Sequence, residues 1–498
     1  MVGIPTAWTA LVLAAIAASY VLASCFLNYR KLPHVPGPLL AKIGPFWMLY
    51  HTLRGDMYLA VAAAIQKYGP PILVAPDYVV TDDVEVLRII YAPRSTWLKG
   101  RWFDAMRLGA DRDNVMTLVD EKAHAEQRSR LIPGYSGKET PGSEAAVDKS
   151  VAELISVIRR DYVSNNLPLD FARLAGFMTL DVLTKIAFDL EVGYLKDNKD
   201  HYDYQKSVAE FAPIMNLCCN HPTIFKILNS RLVMSLLRPK PEDKVGQGAL
   251  IGRAHVAVAD HFNDQEKENS GTMIASWKRH GVTQAQCQDE TMLLIMAGSD
   301  STSTALRSTF LHVTTSPRVY AALNKEIDDA LARGAISFPV IKMSEAKELP
   351  YLCAIIKEGL RIFAPLHGLG SHYTKEPFEI NGKRIPPNIE VGVDQYSMPR
   401  NKKYLGPDAD EFRPERWVEA DAETTKKYNR ALDMTFGLGK STCLGQNLAL
   451  AELHKAIFEL FRNYDFSVVD PLKPMSISSN SIVTQKDLWV RAQPKRNG

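Results

Sequence analysis

Cysteine is scarce: six are spread over 498 residues, and no two stand in a C-x-x-C pair. That excludes a disulfide scaffold and a zinc ribbon. An excess of one charge sign is also lacking, since 59 Lys and Arg stand against 56 Asp and Glu for a formal charge of +3. A surface that wraps nucleic acid needs a clear basic excess, so no nucleic-acid partner is expected. No internal repeat and no second domain boundary interrupt the sequence. With 46% hydrophobic and 23% charged residues, wholesale disorder is excluded. The expectation is one large body of the reduced, intracellular type.

No charged side chain precedes Arg30, and Ala7 to Leu27 is a 21-residue apolar run. As a helix it spans ~30 Å, enough to cross a bilayer. A signal peptide would want a basic start, a shorter core and a small-residue cleavage site. The run has no early Lys or Arg, is too long, and is followed by Tyr29-Arg30-Lys31, which predicts a cytosolic C-terminal side. Residues 1–6 are then expected across the membrane, 7–27 as the transmembrane helix and 28–40 as a proline-rich hinge. Leu32-Pro33-His34-Val35-Pro36-Gly37-Pro38 cannot continue a helix and stiffens that hinge. No later stretch is long and apolar enough for a second span.

The remainder, 41–498, reads as a single large domain, mainly α with a smaller β region. β-like segments lie near Ile72 to Asp82 and from Ser371 to Val393, while most of the rest has helical periodicity. The polar stretches Arg238 to Gly248 and Phe262 to Gly271 read as exposed loops or helix ends. Thr283-Gln284-Ala285-Gln286 has the form of a capping box, and no proline follows until Pro317. The implied helix is ~50 Å long. Its apolar run Met292 to Met296 predicts burial, and then it turns polar at Ala297-Gly298-Ser299-Asp300-Ser301-Thr302. A carboxylate and hydroxyls within a buried helix are costly unless satisfied or used. Either this is a kinked core helix with hydrated polar groups, or Gly298 clears space for something that approaches closely.

Met434 to Gly445 reads M-T-F-G-L-G-K-S-T-C-L-G, and the segment from Gln446 is amphipathic, with Leu450, Leu453, Ile457, Leu460 and Phe461 on one face. A lone cysteine is most often a buried small hydrophobe. Cys443, however, is expected at a helix N-terminus, where free amides and the macrodipole favour the thiolate. Gly437, Gly439 and Gly445 permit tight turns beside a flat partner.

On these residues the chain resembles the cytochrome P-450 family of haem-thiolate monooxygenases, from the N-terminal helix to Gly498. The haem loop F-x-x-G-x-(R/H)-x-C-x-G is matched at Phe436, Gly439, Cys443 and Gly445, and departs from the pattern at Ser441, where a basic residue for a haem propionate is usual. Glu358-Gly359-Leu360-Arg361 fits E-x-x-R, and Phe412-Arg413-Pro414-Glu415-Arg416-Trp417 fits its partner motif. The resemblance implies a buried ionic triad of Glu358, Arg361 and Arg416. Ala297 to Thr302 corresponds to the oxygen-activation motif, with Ser301 where threonine is usual, and implies catalytic roles for Asp300, Ser301 and Thr302. His124 and Arg128 fit the motif of the helix over the haem, and imply propionate contacts; His372 is a further candidate of that kind. The run Leu131 to Ser136 and the cysteine loop look most like fungal enzymes of the pisatin demethylase type, which implies secondary metabolism.

The resemblance further implies the cytochrome P-450 fold, haem b bound by Cys443 as axial thiolate, and NADPH as electron source through a separate membrane-bound reductase. It implies insertion of one oxygen atom from O2 into a lipophilic substrate such as a terpenoid or polyketide. The location implied is the endoplasmic reticulum membrane, single-pass, with 1–6 luminal and the catalytic domain on the cytosolic face. Pocket segments are expected at Phe103 to Leu108, Phe211 to Met215, Met292 to Ala297 and Leu366 to Leu369, and Lys440 and Lys455 are expected on a basic docking face for the reductase. Two other activities compete: a reductase-independent haem-thiolate isomerase or dehydratase, and a non-catalytic membrane haem binder.

Overall fold

The uncharged N-terminal run forms helix α1 (Ile4–Lys31), longer at both ends than the expected 7–27. The computed structural model describes residues 4–107, 112–230, 233 and 239–495, so Leu108 and Arg238 lie outside the described residues. Within α1, Trp8–Lys31 is long and apolar enough to cross a membrane, and its apolar window is not buried; only its last turn touches the body, where Asn28 Nδ2 donates to the Ile43 carbonyl at 3.2 Å. The proline-rich segment that follows is not a free hinge. Leu32 and Val35 are buried against the body, and the Leu73 amide donates to the Pro36 carbonyl at 2.8 Å. A Cβ at Gly37 would lie 2.6 Å from the Leu73 carbonyl, so only glycine permits this approach.

The body is mainly α, with 59% of the protein helical. Its main helices are α2 (Phe46–Arg54), α3 (Glu121–Tyr135), α4 (Ser143–Val157), α5 (Phe171–Phe188), α6 (Tyr204–Asn220), α7 (Gln284–Thr314), α8 (Pro350–Ile362) and α9 (Gln446–Asn463). Helix α7 begins as its sequence dictates: Gln286 N–H donates to Thr283 Oγ1 at 3.3 Å, and Thr283 N–H donates to Gln286 Oε1 at 3.0 Å. It ends short of Pro317 after 31 residues. The core forms where α5 and α9 close on α7. Phe171 stacks on Phe310 at 3.9 Å between ring centroids, and Thr179 Oγ1 donates to the Ser299 carbonyl at 3.0 Å. What approaches Gly298 is α5: a Cβ there would sit 3.1 Å from Leu183 Cδ1. Gly359 of α8 admits no side chain either, since its Cβ would meet Thr309 Oγ1 at 2.0 Å.

The strands are β1 (Ile72–Ala75), β2 (Tyr78–Thr81), β3 (Leu98–Lys99), β4 (Leu169–Asp170), β5 (His372–Tyr373), β6 (Phe378–Ile380), β7 (Lys383–Ile385), β8 (Glu390–Val393), β9 (Tyr464–Val468), β10 (Ser476–Asn480), β11 (Ile482–Lys486) and β12 (Trp489–Pro494). The largest sheet has the order β1-β2-β8-β5-β3, with β2 and β8 parallel. The first expected β region supplies β1 and β2 and the second supplies β5 and β8 to this sheet, along with a two-residue strand, β3, while β6 and β7 of the second region pair with each other in a separate hairpin. The C-terminal strands β9 to β12, by contrast, lie in a region where helical periodicity was expected. The hairpin β10–β11 turns at Ser481, whose φ of 67° is left-handed.

Candidate functional site

Two glycines shape the cysteine loop. Gly437 (φ 73°) and Gly439 (φ 51°) are left-handed, and a Cβ would fall 2.4 Å from the Ser441 carbonyl and 2.2 Å from the Tyr91 carbonyl respectively. Gly445 has an ordinary φ of −84°, and its absent side chain instead leaves room beside Cys443 Sγ, which would be 4.0 Å from a Cβ. The Cys443 amide donates to the Phe436 carbonyl at 2.6 Å, which closes the loop just before α9. Among the six cysteines, Cys443 alone is exposed. Its sulfur can be reached, yet enough protein surrounds it that burial pushes the thiol up, while the Gly445 amide, Arg128 and the Gln446 amide pull it part of the way back. The amides at the start of α9 thus favour the thiolate, as expected, while burial acts against it. A coordinated metal ion would displace the thiol proton outright.

Basic side chains converge beside the loop. Arg128 of α3 donates through Nη2 to the Thr442 carbonyl. His124, one turn earlier, is buried; burial pulls it down to about 4, and Lys99, Arg128 and Lys440 add to the effect. His372 of β5 is wedged between Tyr91 and Phe103, with ring centroids 4.7 and 5.3 Å away, and its Nδ1 lies 3.1 Å from the Gly370 carbonyl. Burial, with Lys440 and Lys99 nearby, pulls it down to about 3. Lys99 pairs in register with His372, and its Nζ donates to the carbonyls of Met116 and Val115 at 2.8 and 3.2 Å. Lys440 Nζ donates to Glu121 Oε1 at 2.7 Å and to the Trp97 carbonyl at 3.3 Å. Sequence reasoning missed Lys99, because a two-residue strand carries no periodic signal. The cluster is rich in positive charge and adjoins one soft sulfur donor. Among the described residues no group of three or more His, Cys, Asp or Glu gathers to hold a bare metal ion. This donor set fits a metal carried in a macrocycle with anionic substituents, as haem is.

On α7, Ala297 is exposed and Ser301 half-buried, although most of the helix is packed. Ser301 Oγ donates back to the Ala297 carbonyl at 2.6 Å, a second bond on a carbonyl within an uninterrupted helix. Asp300 is half-buried. Burial pushes its carboxyl up, and Arg307, two turns along the same helix, opposes this. Thr302 is only 6% exposed and does not share the open position of Ser301. Nearby, Phe103, Met106, Phe211, Met215 and Met296 form one apolar cluster. Thus three of the four expected pocket segments meet. The fourth joins through Leu366, bridged to Ile482, and through Gly368, whose absent Cβ leaves room for Trp102 at 2.5 Å. Ile482 and the neighbouring Ser481, whose hydroxyl donates to Asn216 Oδ1 at 2.7 Å, were not anticipated.

The triad assembles. Glu358 accepts from Arg361 at 2.7 and 2.8 Å, from Arg416 Nε at 3.1 Å and from Trp417 Nε1 at 2.8 Å, and both Glu358 and Arg361 have no exposed surface. The expected docking face does not form from Lys440 and Lys455. Lys455 is fully buried, bonded to Asp148, Glu144 and the Ile341 carbonyl, and Lys440 turns inward to Glu121.

Residues 44–489 match the Cytochrome P450 family description. The chain is 36% identical over 463 residues to cytochrome P450 monooxygenase abl1 of Leptosphaeria maculans, covering 91% of this chain and 81% of that protein. It is 34% identical over 497 residues to cytochrome P450 monooxygenase ABA1 of Pyricularia oryzae, covering 98% and 97%. With cytochrome P450 monooxygenase aba1 of Botryotinia fuckeliana it shares 35% over 467 residues, covering 92% and 91%.

Proposed function

Because the chain belongs to the cytochrome P450 family, haem-iron monooxygenases that use O2, a small-molecule substrate and a redox partner, we propose that Cys443 is the axial ligand and that the basic cluster beside it receives the haem propionates. The observation that carries this reading is the reachable Cys443 sulfur, in a loop closed on Phe436 and flanked by Arg128. Bound haem iron supplies the activation of dioxygen. Phe436, Gly439 and Gly445 shape the loop around the sulfur, while Arg128, His124 and His372 orient the macrocycle. Ser301 holds a hydroxyl proton at Oγ beside the Ala297 carbonyl, and Asp300, whose carboxyl burial pushes up, exchanges protons behind it. Thr302 packs the helix behind Ser301.

The substrate is lipophilic, in keeping with the apolar cluster of Phe103, Met106, Met215 and Met296. A terpenoid or polyketide of fungal secondary metabolism fits such a pocket. Helix α1 anchors the enzyme in the endoplasmic reticulum membrane with its catalytic domain cytosolic, and NADPH supplies electrons through a membrane-bound reductase.

Cys443→Ala removes the thiolate-type spectrum of the ferrous–carbonyl complex; its persistence would falsify the ligand assignment. Microsomes carrying the protein, incubated with NADPH, reductase, O2 and candidate pathway intermediates, yield an oxygenated product by mass spectrometry. Product formed from a peroxide without NADPH would identify an isomerase instead.

A further inference from the structure

Beside the apolar cluster stands a line of buried, uncharged polar side chains. Ser481 Oγ donates to Asn216 Oδ1 at 2.7 Å, and Asn220 Nδ2 donates to Asn216 Oδ1 and to Thr52 Oγ1 of α2 at 3.1 Å each. Asn216 follows Met215 in α6, and Ser481 precedes Ile482 in the hairpin turn, so both border the cluster. Trp102, a member of the cluster, closes the third side. A Cβ on Gly368 would lie 3.2 Å from Ser481 Cβ and 3.3 Å from Trp102 Cε2, the ring carbon bonded to Nε1. The nitrogen edge of the indole and the hairpin turn therefore flank one point. The turn is pinned there, because the His367 amide donates to the Ser481 carbonyl at 2.8 Å.

Among the described residues three polar atoms of this group have no partner: Trp102 Nε1, Asn216 Nδ2 and Asn220 Oδ1. Trp102, Asn216 and Asn220 are 6%, 2% and 6% exposed, so solvent does not answer them. A buried polar atom left unpaired is costly, and a ligand that supplies the missing partner removes the cost. Two of the three are donors, and an indole N–H can only donate, so what is missing is an acceptor. The donors are uncharged, and among the described residues no charged side chain bonds to any member of the line.

We infer that the substrate arrives already carrying a carbonyl oxygen, which accepts hydrogen bonds from Trp102 Nε1 and Asn216 Nδ2. This rests on the apolar cluster being the substrate pocket, and it narrows the occupant from any lipophilic molecule to an oxygenated one. Phe103, Met106, Met215 and Met296 pack its hydrocarbon part. Met296 adjoins the open turn at Ala297 and Ser301, whereas Asn216 and Ser481 lie on the side of α6 and the hairpin. The oxygen-bearing end is thus held away from that turn, and the carbon presented there is an apolar one. A site built to donate to a substrate oxygen rejects the analogue that lacks it, because its own donors then stay buried and unpaired. Trp102 and Asn216 set specificity in this way and take no part in moving protons or electrons.

The test uses the full-length holoprotein in detergent micelles and measures dissociation constants by equilibrium dialysis, with protein-free micelles subtracted. The probes are hydrocarbon and ketone pairs, valencene with nootkatone and limonene with carvone. The ratio of constants within a pair is compared between wild type and variant, which cancels each probe's own transfer from water. In wild type the ketone of at least one pair binds about tenfold tighter than its hydrocarbon. Trp102→Phe, which keeps an aromatic ring and loses the N–H, cuts this preference about threefold. The Trp102→Phe/Asn216→Leu double variant abolishes it, while the hydrocarbons bind no more weakly than before. No ketone preference in wild type, or the same preference in the double variant, overturns the inference. Should Asn216→Leu fail to fold, Trp102→Phe alone decides, and an unchanged preference overturns the inference equally. If no probe binds the haem-loaded wild type, the pocket reading falls as well, whereas hydrocarbons that bind without any ketone preference overturn this inference alone.

Discussion

Two charge clusters within this protein follow opposite plans. Around Glu358 every strong donor has an acceptor: Arg361 bonds the carboxylate and the carbonyls of Pro399, Ala409 and Glu411, while Arg416 bonds Glu358, Asp408 and the Leu405 carbonyl. Beside Cys443, Lys99, Lys440 and Arg128 gather around the histidines His124 and His372, whose burial disfavours their charged form, and of the three cations only Lys440 has a carboxylate partner, Glu121. The first network is buried and its charges are paired, which is how a scaffold is made rigid. The second is incomplete in one sign, which is how a binding site is kept ready for an anion.

Glu358→Ala breaks the completed network most severely. It leaves two buried guanidinium groups without their carboxylate, at about 3–5 kcal/mol, and thermal unfolding or the yield of folded protein reads the loss. In the incomplete cluster Arg128→Met costs less, about 1.5–3 kcal/mol for one charge-assisted bond, and appears as faster haem loss with a nearly unchanged melting profile. An equal loss of fold stability in both variants would erase the distinction between the clusters. Ser301→Ala should spare haem binding and send reducing equivalents to peroxide, measured as NADPH consumed per product; unchanged coupling removes Ser301 from the proton path. The smallest effect concerns Glu290 of α7, which accepts from the Val115 amide at 2.8 Å and Gln127 Nε2 at 3.1 Å. Burial pushes its carboxyl up from 4.5 to about 7, with Lys99 among the groups opposing this. Between those values the folded state binds more protons than the unfolded one, so this group's contribution to stability falls as pH rises through the window. Glu290→Gln flattens that dependence, and Lys99→Met pushes the carboxyl higher still.

The contrast also explains what the sequence could disclose. Helix α7, its capping box and the amphipathic α9 were legible because their signals lie within a few residues of one another. The triad was legible through motif spacing, although nothing local predicted that Trp417 would join it. Lys455 illustrates the opposite case. On the sequence it is a charged residue of an amphipathic helix, yet its acidic partners Asp148 and Glu144 belong to α4, some three hundred residues earlier. Its burial is decided by the packing of α4 on α9, a tertiary event. Strand β10 escaped notice because Ser476-Ile477-Ser478-Ser479-Asn480 is too short and polar for an alternating pattern, whereas β9, Tyr464-Asp465-Phe466-Ser467-Val468, does alternate but follows directly on the amphipathic α9. Helix propensity elsewhere gave no warning of a hairpin that brings Ser481 to Asn216.

The docked tether after α1 has a practical consequence for where a minimal catalytic unit begins. Trimming the chain up to Lys31 would remove little that touches the body beyond the bond from Asn28 Nδ2 to the Ile43 carbonyl and the contact of Tyr29 with Lys42. Trimming a further seven residues would pull Val35 out of its seat and leave the first sheet strand with an unanswered amide at Leu73. The boundary set by packing therefore falls ahead of the prolines, and the segment resembling a spacer is the first piece of the enzyme itself.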